Sequence, residues 1–182
     1  NLTVKDSGTG GTIDGQNKNY AFNVRGGTLT LESGTIANCT TDGDGGAVDV
    51  SRSGTIEYPL DVPGKFIMNG GTIKNCFADI DGVGFAVYGD MAKARLVVTG
   101  GTFEKCGATP YSFADYTHIV TFDSDGGTAV SQQTVMNASA VKPADPTKSG
   151  YTFAGWYLGD AEYAFDTEVT ENIELKARWT ST

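Results

Sequence analysis

One short phrase is written three times in this chain. Gly34, Thr35, Ile36, Ala37, Asn38 and Cys39 align with Gly71, Thr72, Ile73, Lys74, Asn75 and Cys76, and again with Gly101, Thr102, Phe103, Glu104, Lys105 and Cys106. A degenerate copy (Gly11, Thr12, Ile13, Asp14, Gly15) precedes them, so the equivalent threonines step by 23, 37 and 30 residues. A second phrase lies in between: AFNV at 21–24, GAVDV at 46–50 and FAVY at 85–88. Each unit therefore holds β-prone triplets of period two, separated by glycine-rich corners. A triplet is too short to bury anything alone. Stacking equivalent triplets about 4.8 Å apart buries a continuous apolar column. Constant triplets at variable spacing result when insertions are confined to the corners. Residues 51–64, SRSGTIEYPLDVPG, read as one such insertion.

These features predict a mainly β protein whose residues 1–115 form a short parallel β-helix of about four turns. Crossover chirality favours the right hand. A leucine-rich solenoid is excluded, because its L-x-x-L-x-L-x-x-N spacing and helical return segment are missing. Cys39, Cys76 and Cys106 each close one copy of the phrase and are expected to point inward as small reduced hydrophobes. A disulfide between stacked neighbours is geometrically awkward. Asn38 and Asn75 share a corner where stacked amides could satisfy turn backbone groups, and Lys105 breaks that column.

Composition narrows the possible partners. With 25 glycines and 5 prolines, the chain reads as turn-rich β structure and not as a disordered tract. A net charge of −9 argues against nucleic acid and against anionic membrane surfaces. No apolar run reaches the roughly 18 residues needed to span a bilayer. The opening NLTVKDSGTGG lacks the pattern of a signal peptide and starts in mid-pattern, as a piece of a longer chain would.

Beyond Cys106 the grammar changes. HIVTF alternates as a half-buried strand, and Ser124, Asp125, Gly126 and Gly127 form a turn. In the closing IELKARW, Ile173, Leu175, Ala177 and Trp179 fall on one face and Glu174, Lys176 and Arg178 on the other. About 60 residues carrying both tryptophans can build a small core. Residues 118–182 are thus expected to be a second domain that unfolds independently of the first.

Two family resemblances follow from these blocks. GTIANC, GGTIKNC and DGGAVDV, within residues 2–106, resemble the Gly-rich β-helix repeats of bacterial surface proteins, adhesin-like proteins of gut bacteria among them. The GGAV phrase is also similar to the GGA(I/V) element of polymorphic outer-membrane proteins. The second segment looks like a Listeria–Bacteroides repeat, related to the B repeat of internalin-type surface proteins. The matching blocks are VTFDSDGG at 120–127, PTKSGYTFAGWY at 146–157, AFDTEVTENIEL at 164–175 and ARW at 177–179. That resemblance implies a β-grasp-like fold, a secreted or wall-attached location, and a stalk, spacer or interaction role without a catalytic motif.

Most candidate site residues have a bland reading. His118 lacks a Ser or Cys partner in a recognisable elbow. Trp156 and Trp179 lie on alternating strands and read as core, although aromatic rings can also stack on sugars. Asp123 and Asp125 sit in a turn and lack the bidentate Glu of a calcium loop. Arg25, Arg52 and Arg95 fall at non-equivalent positions, and no pair of acids spaced for glycoside hydrolysis can be identified. Asp42 and Asp44, and again Asp79 and Asp81, begin three residues after a column cysteine. In register, these four carboxylates would gather at one corner. Two readings fit: ordinary turn chemistry, or a Ca²⁺ or glycan site in which the bridging group relieves the repulsion.

The sequence therefore leads to a non-catalytic part of an extracellular or cell-wall adhesin-like protein. It would bind a host or bacterial surface protein or a glycan and require no cofactor apart from possible Ca²⁺. The rival is a surface polysaccharide lyase or glycosidase whose catalytic turns lie elsewhere. If the Asp corner binds cation, millimolar Ca²⁺ raises the melting temperature beyond matched ionic strength, by about 2.7 kcal/mol at a hundredfold excess over Kd. Replacing Asp44→Asn together with Asp81→Asn then abolishes the rise; a flat calcium titration reduces the four residues to turn formers.

Overall fold

The computed structural model describes residues 1–8, 10–41, 46–53, 62–78, 87–89, 94–106, 111–112 and 117–182. These residues are mainly β, with no helix among them; they form several sheets, parallel ones included, and no closed barrel. Through residue 112 the strands fall into three parallel ranks and a shorter parallel pair, Thr40–Thr41 with Phe77–Ala78. The first contains Leu2–Val4, Gly27–Leu31, Val62–Met68 and Arg95–Val98. The second contains Thr12–Asp14, Thr35–Ala37, Thr72–Lys74 and Thr102–Glu104. The third contains Phe22–Arg25, Val48–Ser53, Val87–Gly89 and Tyr111–Ser112.

The register of the second rank is the one the repeated phrase predicts: Thr12 faces Thr35, Thr72 follows, then Thr102. The alternate positions make an inward column of Ile13, Ile36, Ile73 and Phe103. Ile36 and Ile73 are fully buried, and each contributes about 1.5–3 kcal/mol over an exposed side chain. In the first rank, Leu29, Phe66 and Leu96 form a parallel inward column, with Leu31 and Met68 beside it. Within the predicted insertion, Arg52 and Ser53 pair antiparallel with Pro63 and Val62.

The corners explain the invariant spelling of the copies. Gly34, Gly71 and Gly101 have φ of 88°, 79° and 94°, and a Cβ on Gly71 would lie 2.8 Å from the Gly34 carbonyl oxygen. Only glycine takes that conformation at such close approach without strain. Asn38, Asn75 and Lys105 share a left-handed corner, with φ of 54°, 50° and 52°. The corner amides bond to neighbouring side chains of the column: Asn75 Nδ2 donates to Asn38 Oδ1 at 3.1 Å, and Asn38 Nδ2 donates to Asp14 Oδ1 at 3.2 Å. Lys105 ends the amide ladder while keeping its backbone turn.

From Thr117 onward the strand order changes. Gln133–Met136 pairs antiparallel with Thr117–Asp123, which pairs parallel with Ile173–Ser181. Tyr151–Leu158 follows antiparallel, bulged between Phe153 and Gly155, and Ala161–Glu162 forms the edge. Leu175 and Ala177 are buried while Glu174, Lys176 and Arg178 are exposed, as their alternation predicts. Trp156 centres this core, with Phe122 at 5.0 Å and Phe153 at 5.5 Å, both edge-on.

The expectation of two separate cores meets a different arrangement. Gln133–Met136 also pairs antiparallel with Arg95–Val98, joining Leu96 to Met136, Val97 to Val135 and Val98 to Thr134. One sheet thus runs through both halves. Met136 packs in the core of the parallel ranks, and Val97 packs in the core of the C-terminal half. The physical reason is the edge of Arg95–Val98: a terminal strand presents unpaired N–H and C=O groups that favour pairing.

Gly46, in the GGAV phrase, tests how tightly the turns stack, because a Cβ there would overlap backbone atoms of Phe77. Gly46→Ala is expected to lower stability by about 1–3 kcal/mol, the range for overpacking. Gly8→Ala, whose Cβ would meet nothing closer than Asp6 at 3.7 Å, should stay within about 0.5 kcal/mol of the parent. Denaturant midpoints measure both; a Gly46→Ala protein as stable as the Gly8→Ala control would refute the close stacking.

Candidate functional site

Asp42, Asp44, Asp79 and Asp81 all lie outside the described residues. Among the described residues, no group of three or more His, Cys, Asp or Glu side chains is arranged to hold a metal. The neighbours of the acidic segments are placed, however. Thr40–Thr41 pairs parallel with Phe77–Ala78, so Thr41, next to Asp42, sits opposite Ala78, next to Asp79.

Among the described residues, two concavities bear on the chemistry of the surface. The larger, of about 660 Å³, opens at the first turn between the first and third ranks. Leu2, Val24 and Leu29 line it together with Tyr20, Asn23 and Arg25. Its apolar lining is continuous with the stack core: Leu2 is 51% exposed here, while its partner Leu29 is 3% exposed. Its polar lining is ordered, since Asn23 Nδ2 donates to Asp49 Oδ2 at 2.8 Å and Arg25 Nε donates to Asn23 Oδ1 at 3.1 Å. An apolar surface beside an aromatic ring and fixed polar groups suits the face of a sugar or a flat side chain.

The smaller concavity, about 170 Å³, lies where the two halves meet. Lys65 and Arg95, adjacent in strand register, line it from the stack, and Asn137, Ser139, Asp166 and Glu168 line it from the C-terminal half. Burial, and then the charge of Arg95, hold the Lys65 ammonium below its usual range. Asn137, at φ 44°, donates its Nδ2 to the Ala94 carbonyl at 3.2 Å across the junction.

The other residues singled out from sequence have structural places. Trp156 is 1% exposed and sits in the core, while Trp179 is half-buried against the same cluster and donates Nε1 to the Ser124 carbonyl at 3.1 Å. His118 is half-buried in a strand opposite Val135. Lys176 lies 3.4 Å from Asp123 and 3.8 Å from Asp125, and Lys148 lies 3.5 Å from Asp125. The Asp125 N–H first, then Lys176, hold the Asp123 carboxyl below the usual carboxylate range. This turn is thus neutralised by lysines. Arg25, Arg52 and Arg95 face Ser51, Pro63 and Lys65 in their respective pairings, which confirms that they form no common column.

The cysteines stand where the repeat puts them. All three are free and at most 2% exposed. Each thiol donates to the carbonyl two residues back: Cys39 to Ala37 at 3.3 Å, Cys76 to Lys74 at 3.2 Å and Cys106 to Glu104 at 3.3 Å. Cys106 also reaches the Ile73 carbonyl of the preceding turn at 3.3 Å. The neighbouring Cys39 thiol and burial push the Cys76 thiol up, and burial pushes Cys106 up, so both are neutral, inert thiols.

Comparison with known proteins bears on the C-terminal half. Residues 118–178 match the Listeria-Bacteroides repeat domain. Two proteins of Evansella cellulosilytica are similar over 67 residues. One, provisionally named a membrane protein, is 40% identical over 34% of this chain and 10% of its own length. The other, provisionally named a Gly-rich membrane protein, is 36% identical over 34% of this chain and 8% of its own length. The chain therefore spans a tenth or less of these relatives. No solved structure matches. No helix among the described residues is long and apolar enough to cross a membrane, which leaves β-barrel crossing unaddressed. The repeat match begins at residue 118, so it covers the C-terminal side of the 170 Å³ cleft but not Lys65 and Arg95.

Sequence reasoning missed this junction. The signal was present: TLTL at 28–31 alternates, whereas KFIM at 65–68 and RLVV at 95–98 carry apolar residues on both faces.

Thiol chemistry tests the column. The native chain should leave all three cysteines unreactive toward a thiol reagent, and the denatured, unreduced chain should titrate three. Cys76→Ser keeps a donor for the same carbonyls but buries a more polar group, so a loss of about 1–3 kcal/mol is expected. Two thiols missing from the denatured sample would mean a disulfide in place of the column.

Proposed function

We propose that this chain is a non-catalytic part of a bacterial cell-surface or secreted adhesin-like protein. In this reading residues 1–115 are a right-handed parallel β-helix that acts as a rigid binding rod. Residues 118–182 are a β-grasp-like module, its first and last strands parallel at the centre of the sheet and its helix replaced by irregular chain. The observation that supports the rod most directly is the common register of three parallel ranks. Such stacking presents equivalent positions at fixed intervals along each outer face, a surface suited to an extended protein or glycan partner. Thr12, Thr35, Thr72 and Thr102 make one such column, and the Thr72 and Thr102 hydroxyls are 3.0 Å apart. The repeat match and the membrane-protein names of the relatives favour a location at the cell surface. The acidic net charge favours neutral or basic partners over anionic membrane.

A binding and turnover screen separates the readings. The purified chain is passed over immobilised glycans and extracellular-matrix proteins and, separately, incubated with a panel of polysaccharides. Selective, saturable binding without product release is expected. Release of oligosaccharides would replace the adhesin reading with a polysaccharide-active enzyme, and no selective binding to any member would count against the rod as a binding face.

A further inference from the structure

Among the described residues, the first rank is paired differently at its first and last turns. At the first turn, Leu2–Val4, Thr12–Asp14 and Phe22–Arg25 each pair on one side only. At the last turn, Thr102–Glu104 and Tyr111–Ser112 likewise have one described partner each, but Arg95–Val98 is paired on both sides, with Val62–Met68 in parallel and with Gln133–Met136 antiparallel. The reversal matters. A parallel partner would offer the edge for another turn of the same kind, whereas an antiparallel strand followed by a reversing sheet cannot continue the repeat.

The C-terminal half covers a face as well as an edge. Thr3, Thr30, Ile67 and Val97 make the outward column of the first rank. Thr3 is exposed and Thr30 is partly so, whereas Val97 is fully buried and Ile67 packs against the same C-terminal cluster as Trp156 and Leu175. In return Met136 inserts into the stack core among Leu96 and Phe66. Asn137 donates to the Ala94 carbonyl at the same boundary. The charges are complementary, with Lys65 and Arg95 on the stack facing the side that carries Asp166 and Glu168.

From these contacts we infer that the C-terminal repeat is an end cap on the first rank of the parallel stack. It terminates the first rank, shields the outer face of that rank's last two turns, and folds with the stack as one cooperative unit. The surface that does this is the Gln133–Met136 edge with the Val120, Val135 and Trp156 core behind it, and the partner it fits is the final turn of a parallel β-stack. This role is distinct from that of a spacer joined by a flexible hinge, and it holds whether the rod binds a ligand or not.

The chain carries its own reporters. Both tryptophans, Trp156 and Trp179, lie in the cap, and all three cysteines, Cys39, Cys76 and Cys106, lie in the stack. Denaturant unfolding of the full chain is followed by tryptophan emission and, on the same samples, by pulse reaction with a thiol reagent. The two curves should superimpose with one midpoint, the mark of two-state behaviour. Val97→Thr then gives the outward column the threonine that Thr3 and Thr30 already carry, which an uncapped stack would accept. Under the cap it buries a hydroxyl in the tryptophan-containing core, so both midpoints should fall together to lower denaturant. The conservative Val97→Ile should retain coincident curves. Separate midpoints in the parent chain, or a Val97→Thr protein whose tryptophan transition does not move, would overturn the proposal.

Discussion

Everything in this molecule depends on how strand edges are satisfied. A three-residue strand such as Thr35–Ala37 has too little surface to bury and too few hydrogen bonds to hold itself. It exists because Thr12–Asp14 lies on one side and Thr72–Lys74 on the other. Burial along the rows shows the same dependence. Ile13, at the first turn, is 38% exposed, while its stacked equivalents Ile36 and Ile73 are 1% and 0% exposed. The residue type is unchanged; only the number of neighbouring turns differs. A stack of this kind gains stability turn by turn from its interfaces, and its ends are the places where that gain stops.

This constraint decides which parts of the fold were legible in the sequence. The register was legible because each turn must present the same side chain at the same place, so GTIANC and GTIKNC could be laid over each other before any strand was seen. The inward cysteines were legible for the same reason. The glycine corners are more demanding than the sequence pattern suggests. Gly15, opposite the left-handed Asn38 corner, leaves no room for a Cβ because the Cys39 sulfur would lie 2.7 Å away. The two-faced apolar strands at 65–68 and 95–98 mark a covered face, but which strand covers it could not be read. Its partner strand, Gln133–Met136, is four residues long and lies outside the repeat, so nothing in its spacing points back to Arg95–Val98.

The junction also shows why a sound rule can mislead. Both tryptophans and a closed set of strands lie beyond residue 117, and a separate core is the natural expectation from such a composition. That core does exist, with Phe122, Phe153 and Trp179 around Trp156. It is not closed, however, because Val97 and Ile67 of the stack complete one side of it. A domain boundary drawn from sequence marks where the repeat grammar ends. A boundary of burial need not coincide with it, since a sheet can pass through a change of grammar as long as its backbone groups are paired.

The outer faces of the parallel stack therefore differ in the side chains they present. On the first rank the outward column passes from Thr3 and Thr30 to Ile67 and Val97, and the apolar members are the covered ones. The second rank keeps a threonine at every turn, and beside it Lys74 and Glu104 form an exposed ion pair at 3.4 Å, a contact that water and salt largely screen. The third rank carries Asn23 bonded to Asp49 next to Arg25 and Tyr20. Among the described side chains, the second rank is at least partly open at every turn and the third at its first two, while the first is open only over its earliest turns. The chemistry of those open faces is hydroxyl, amide, carboxylate and the cations of Lys74 and Arg25, with the Tyr20 ring at the larger concavity. Such groups make many weak, repeated hydrogen bonds in place of one deep apolar contact, so affinity would have to accumulate over several turns held in fixed register. The stacking that makes each strand possible is thus also what would give a weak, repetitive surface its reach.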